Sequence, residues 1–203
     1  KSDFQIPNEI TVGGDYSSAA FLLSLGAIGG DVTVCGLNAD GQGDERIKDI
    51  LRGFGAEITE GEGFVRCVKR DLKPVEVDFS SVPDLAPVVC AVAAFADGES
   101  RFHGVERLKF KESDRLFAII DMLKNAGIKT DYLDGTLKIY GGKPSGGAEF
   151  NGFNDHRIVM ASIILASALN AGSSVKNAES VSKSYPDFFA DLEKLGGKFD
   201  VNL

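Results

Sequence analysis

Apolar positions along this chain fall into two alternating helical patterns separated by short strands. The first pattern opens at an Asp and is apolar nearly all round, as in Asp15-Tyr-Ser-Ser-Ala-Ala, Asp84-Leu-Ala-Pro-Val-Val and Asp155-His-Arg-Ile-Val-Met. Asp is a good N-cap and Gly a good C-cap, so each helix is predicted to run from its Asp toward Gly29-Gly30, Gly98 or Gly172. A short strand is predicted after each, over 32–35, 100–103 and 174–176. The second pattern is amphipathic and predicts more exposed helices over 44–54, 113–126 and 185–195. Leu116, Ile119, Ile120 and Leu123 carry the helical spacing in the middle copy. Hairpins are predicted over 57–68, turning at Gly61-Glu-Gly63, and over 129–140, turning at Asp134-Gly135.

The Asp markers of both helix types recur about every 70 residues. The chain therefore reads as three copies of strand–helix–strand–helix–hairpin, over approximately 9–70, 75–141 and 148–203. The expected architecture is a single α/β domain, 1–203, with pseudo-threefold symmetry: three buried helices inside, with sheets and outer helices around them. No Pro- or Ser-rich linker divides it, and 143–147 is only a loop. The third copy ends on a strand predicted over 198–201 that has no following partner. Such an edge needs covering, which a segment elsewhere in a longer protein could supply. With Lys1 rather than Met in first position, the chain reads as a piece of a longer protein.

Composition narrows the function classes. The 203 residues are 43% hydrophobic, enough for a packed core. A net charge of −8 argues against general nucleic-acid binding, which needs a basic face. No apolar run reaches the roughly 18 residues of a membrane span, and no signal peptide is visible. Cys35, Cys67 and Cys90 lie in apolar sequence without C-x-x-C spacing, which suggests reduced core thiols and a cytoplasmic protein. His103 and His156 lack partners at ligand spacing, so no metal site is predicted.

Against this acidic background, two charged runs stand out: Lys111-Glu112-Ser113-Asp114-Arg115 and Asn154-Asp155-His156-Arg157. Each falls at a predicted helix start, and Lys183 precedes another helix. Helix starts already carry unpaired N–H groups and the positive end of the dipole, so adding Lys and Arg there points to anionic ligands. Lys111 and Arg115, four apart, are expected on one helix face. Asp84 and Glu112 could move protons inside such a basic pocket. Asp84 and Asp155 also fit plain helix caps, Glu112 also fits a favourable first-turn acid, and Asp15 with Ser17 and Ser18 reads mainly as a cap. His156 fits a substrate contact or a residue that orients its neighbours.

Lys-Glu-Ser-Asp-Arg (111–115), Asn-Asp-His-Arg (154–157), Pro-Asp (83–84), Lys-Ser-Tyr-Pro-Asp-Phe-Phe (183–189) and Gly-Asp-Tyr-Ser-Ser-Ala-Ala (14–20) closely resemble motifs of the EPSP synthase family, in order and over the whole length. The resemblance is to the C-terminal half of a two-domain enzyme whose domains are each built of three βαβαββ units. It implies transfer of the enolpyruvyl group of phosphoenolpyruvate to the 5-hydroxyl of shikimate 3-phosphate, without a metal or organic cofactor. By resemblance, Asp84 and Glu112 are the proton-transfer carboxylates. Arg115 and Arg157 grip phosphoenolpyruvate, and Lys183 is a third cationic contact and an acid. Lys111 contacts the shikimate moiety, and His156 accompanies the site. Arg107 stands where some members carry a smaller amide that touches substrate. The missing N-terminal domain is the implied partner, and the fragment alone is expected to be nearly inactive. The alternatives are the related transferase acting on UDP-N-acetylglucosamine and a non-catalytic module binding phosphorylated metabolites.

Overall fold

The computed structural model describes residues 9, 12–38 and 41–201. The chain begins with α1 (Tyr16–Gly29) and β1 (Asp31–Cys35), then a 3-10 turn (Gly43–Arg46) that feeds α2 (Ile47–Phe54). A hairpin follows, β2 (Glu57–Gly61) and β3 (Phe64–Val68). The middle section runs β4 (Glu76–Asp78), a 3-10 turn (Pro83–Leu85), α3 (Ala86–Ala93) and β5 (Gly98–His103). It continues through another 3-10 turn (Glu106–Phe110), α4 (Arg115–Asn125) and the hairpin β6 (Lys129–Leu133) and β7 (Thr136–Gly141). The last section is β8 (Glu149–Phe150), α5 (His156–Ser167), β9 (Ser174–Val175), a 3-10 segment (Ala178–Lys183) and α6 (Phe188–Lys194).

Three sheets form. One has the order β1-β3-β2 and is antiparallel throughout; the second is β4-β5-β7-β6; the third is the pair β8-β9. In the second and third sheets a buried helix joins two parallel neighbours, α3 between β4 and β5 and α5 between β8 and β9. That is the connection parallel strands need. Helices α1, α3 and α5 pack against one another at the centre. All eight residues of α3 are buried, as its continuous apolar run demands. Phe79 stacks on Phe102 with ring centroids 5.3 Å apart, and Phe21 meets Phe188 edge-on at 6.4 Å. At Gly26 no side chain fits between α1 and β3, because a Cβ there would lie 2.6 Å from the Cys67 carbonyl oxygen. Among the described residues, no helix is long and apolar enough to cross a membrane.

Several boundaries differ from the sequence expectations for identifiable reasons. Helices α3 and α5 stop at Ala93 and Ser167, short of Gly98 and Gly172. Their chains unwind through tighter bonds instead, Phe95 N–H to the Val92 carbonyl and Leu169 N–H to the Ala166 carbonyl. The β6–β7 turn does fall on Asp134-Gly135, both at positive φ (50° and 75°), as a two-residue hairpin requires. Residues 198–201 do not form the predicted strand; among the described residues no strand pairs with them. Cys35 is exposed at the end of β1, an edge strand, rather than lodged in the core. Cys67 and Cys90 are buried, and burial pushes the Cys67 thiol up to about 12 and raises that of Cys90 as well.

Candidate functional site

The starts of three helices bring the charged runs together. At α5, Asp155 caps the helix by accepting the Arg157 N–H at 3.0 Å. The approach to this cap is tightly constrained. Phe153 and Asn154 both take left-handed backbone conformations, φ 52° and 54°. Such geometry is costly for an aromatic residue and persists where surroundings impose it. Asn151 Oδ1 accepts the Phe153 N–H at 2.9 Å, and the Phe153 ring meets Phe117 of α4 edge-on at 5.8 Å. Gly152 just before has no room for a Cβ, which would sit 2.3 Å from Val159 Cγ2.

At α4, Asp114 caps the helix by accepting the Phe117 N–H at 2.9 Å, so the helix starts at Arg115. Lys111 therefore lies outside it, on extended backbone at the end of the preceding 3-10 turn. The shared helix face expected for Lys111 and Arg115 is thus corrected: they converge through the bend at Ser113 and Asp114, not through helical spacing. At α3, Pro83 opens a 3-10 turn and Pro87 occupies the first helical turn, both without an N–H to cap. Asp84 makes no capping bond there, and its carboxylate turns to the cations instead.

Arg115 is the hub, with its side chain only 4% exposed. Its Nε donates to Asp155 Oδ2 at 2.7 Å, its Nη2 to Asp155 Oδ1 at 3.3 Å and its Nη1 to Asp84 Oδ1 at 2.8 Å. Ser113 Oγ also donates to Asp155 Oδ2, at 3.0 Å. Asp155 is thus both cap and counter-ion. Burial works to raise its pKa, but Arg115, the Arg157 N–H and Ser113 outweigh that and hold it below the usual carboxylate range. Asp84 lies 3.2 Å from Lys111 Nζ and 3.4 Å from Arg157 Nη2. Burial opposes its ionisation too, and Arg157, Lys111 and Arg115 overcome it, so its pKa is lowered.

Glu112 forms the second junction. Its Oε1 accepts from Lys183 Nζ at 2.8 Å and its Oε2 lies 2.7 Å from His156 Nδ1. That histidine nitrogen is buried and off the hydrogen-bond direction, so it has a close contact without an aligned bond. Burial, reinforced by Arg157 and Arg115, lowers the His156 pKa despite Glu112 and Asp155. Lys183 also donates to the Asn154 carbonyl. It ends the 3-10 segment rather than standing at the start of α6, five residues on. Arg107 is exposed on its 3-10 turn and makes no ion pair or hydrogen bond to this cluster.

The cluster gathers Lys111, Arg115, Arg157 and Lys183 around Asp84, Glu112 and Asp155, with His156 between them. Glu112, Asp155 and His156 each place a ligand atom within 4.8 Å of the others, a grouping that spacing along the chain did not predict. Arg115 and Lys183 already neutralise both carboxylates, so the group is an ion-pair junction. Sequence reasoning missed one neighbour, Asp44. Its carboxylate accepts from Ser17 Oγ and feels both Arg157 and Asp84. Its recurrence as a helix-start Asp beside Asp114 was the available signal.

A family model for EPSP synthase (3-phosphoshikimate 1-carboxyvinyltransferase) matches residues 3–192. The 3-phosphoshikimate 1-carboxyvinyltransferase of Pyrococcus abyssi is 44% identical over 195 residues, 96% of this chain and 46% of the relative. The enzyme of the same name from Aeropyrum pernix is 43% identical over 197 residues, again 96% of this chain and 46% of the relative. A solved EPSP synthase from Acinetobacter baumannii superposes with a TM-score of 0.83 at 27% identity, covering 95% of this chain and 48% of that one. The chain spans about half the length of the curated relatives it matches. The α/β fold agrees with that structure, and the chain belongs to the EPSP synthase family.

Proposed function

We propose that this chain is one half of a 3-phosphoshikimate 1-carboxyvinyltransferase, which joins phosphoenolpyruvate to the 5-hydroxyl of shikimate 3-phosphate and releases phosphate. The observation that carries this reading is the convergence of four cations with Asp84 and Glu112, in a chain of this family. The reaction needs that set. Two phosphates and a carboxylate must be held by fixed cations. One proton must leave the attacking hydroxyl and another must reach the methylene carbon of phosphoenolpyruvate. The resulting tetrahedral adduct then loses phosphate, and a methyl proton, to give the enolpyruvyl ether.

The residues divide these tasks. Asp84 binds the shikimate hydroxyls and takes part in proton transfer. Glu112 is the second proton-transfer group, held between Lys183 and His156. Arg157, Arg115 and Lys183 hold phosphoenolpyruvate, with Lys183 also placed to act as an acid, and Lys111 contacts the shikimate moiety. Arg107 reaches substrate only from the exposed rim.

The whole chain serves as one domain of three strand–helix units around α1, α3 and α5, whose mutual packing supports that reading. It works in the cytoplasm with a second, N-terminal domain that supplies the remaining phosphate contacts. Closure of the two domains provides proximity and excludes water, so the chain alone turns over substrate barely or not at all.

The test is a calorimetric titration of this chain with shikimate 3-phosphate and phosphoenolpyruvate, separately and together, beside Arg157→Ala. Weak binding that disappears in the variant supports the reading. Binding that survives Arg157→Ala unchanged sinks it.

A further inference from the structure

Three of the site's cations point at a carboxylate of the protein itself. Asp84 Oδ1 lies 2.8 Å from Arg115 Nη1 and 3.2 Å from Lys111 Nζ, and Oδ2 lies 3.4 Å from Arg157 Nη2. A carboxylate or phosphate of a ligand presents the same charge and the same paired oxygens to these groups. Both cannot occupy the position, because two anions at such range repel. The cations differ in freedom. Arg115 is fixed from behind by Asp155, which takes its Nε and Nη2 and leaves Nη1 facing the site. The Asp84 side chain is 34% exposed, so one side of it meets solvent where Arg115 is enclosed.

We propose that Asp84 is an internal stand-in for the substrate anion, filling the seat formed by Lys111, Arg115 and Arg157 until an incoming carboxylate or phosphate monoester displaces it. The proposal rests on the functional reading above and adds an order of events to it. While seated, Asp84 is surrounded by positive charge and is a poor proton acceptor. Once an anion takes those charges, Asp84 is released beside it and faces both the bound anion and Asp44. Both favour its protonated form, so its basicity rises when substrate is present to use it. Entry of the anion and arming of the base become a single exchange of partners.

The experiment is calorimetry of the full chain and of Asp84→Asn with phosphoenolpyruvate and, separately, inorganic phosphate. Asp84→Asn is expected to bind at least one of them about tenfold more tightly, the scale of one released charge-assisted partner. Equal or weaker binding, or none to either protein, overturns the proposal. Arg157→Ala separates the two ideas. Binding lost there but unimproved in Asp84→Asn leaves the functional reading standing and removes the stand-in. Binding unchanged by Arg157→Ala removes the site on which the stand-in depends.

Should Asp84→Asn fail to fold, the wild-type chain supplies the measurement through the carboxyl-carbon resonance of Asp84 followed against pH. Its midpoint should move upward when phosphoenolpyruvate is added at saturation. A midpoint indifferent to the ligand overturns the proposal.

Discussion

Arg115 and Asp155 are 40 residues apart in sequence and form a two-pronged pair, Nε to Oδ2 at 2.7 Å and Nη2 to Oδ1 at 3.3 Å. The pair ties the first residue of α4 to the cap of α5 and is almost wholly out of water, with Asp155 0% and Arg115 3% exposed. Buried charges are expensive singly and tolerable together. The pair thus fixes the relative position of two helix starts, and with them every other charge in the cluster.

Asp155→Asn is the sharpest test of that linkage, since Asn remains a good N-cap while losing the charge. Arg115 would keep Asp84 at 2.8 Å and the longer Glu112 contact at 3.8 Å, so stability should fall by about 3 kcal/mol, the low end for a broken buried pair. Adding Arg115→Met to Asp155→Asn should recover much of that loss, because the stranded cation is gone. Urea unfolding of the single and double variants gives both numbers. A double variant no more stable than the single would show that the loss came from something other than the unpaired charge.

The lowered pKa of His156 makes stability depend on pH in a definite direction. The folded ring takes up its proton at lower pH than the unfolded ring, whose ordinary value is about 6.5. The resulting stability is fully present above that value and is lost as pH falls toward the depressed folded value. Denaturation midpoints should therefore drop between about pH 7 and pH 5, and His156→Gln should drop less over the same interval. Parallel curves for the two proteins would remove His156 as the cause.

Asp44 behaves oppositely. Burial raises its pKa, with Asp84 and Asp15 acting in the same sense and Ser17 and Arg157 only partly compensating. A raised carboxylate favours folding at low pH and loses that contribution as pH rises through the folded value. Asp44→Asn should then leave the chain unchanged or slightly more stable at pH 7, by less than about 1 kcal/mol. The advantage should vanish at about pH 3. A substantial loss at neutral pH would mean that its bond from Ser17 outweighs the buried charge.

Much of the fold was readable from the chain because local chemistry and tertiary packing agree there. Asp15 both reads and acts as a cap, accepting the Ser17 and Ser18 N–H groups. Asp134-Gly135 is a pair suited to the left-handed turn that the β6–β7 hairpin requires. The failures lie where a partner distant in sequence decides. Asp84 resembles a cap, but the Leu85 and Ala86 N–H groups already bond to the Val82 and Pro83 carbonyls, Pro87 has none, and three cations claim the carboxylate. Residues 198–201 have strand-forming character but no adjoining strand among the described residues. The motif residues were visible individually, yet nothing in their spacing said that Arg115 would be buried against Asp155 while Arg157 stayed loosely held.

That last contrast makes the two arginines separable. Both were assigned to one anion grip, but their surroundings differ. Arg157 reaches Asp84 only at 3.4 Å through Oδ2 and 3.5 Å through the main-chain carbonyl, too long for strong hydrogen bonds, so it acts on Asp84 mainly through its charge. Arg115 has strong partners on every side and anchors two helix starts. Arg157→Ala should cost about 1–2 kcal/mol of stability, since its side chain is only 14% exposed but makes no short hydrogen bond, while removing the phosphoenolpyruvate binding proposed for this site. Arg115→Ala should cost about 3–5 kcal/mol, because Asp155 is left buried and ionised. Unfolding curves alongside calorimetry on the two variants compare stability with affinity. Equal stability losses would overturn the division of labour, and would mean that Arg157 holds the fold through contacts tighter than its distances imply.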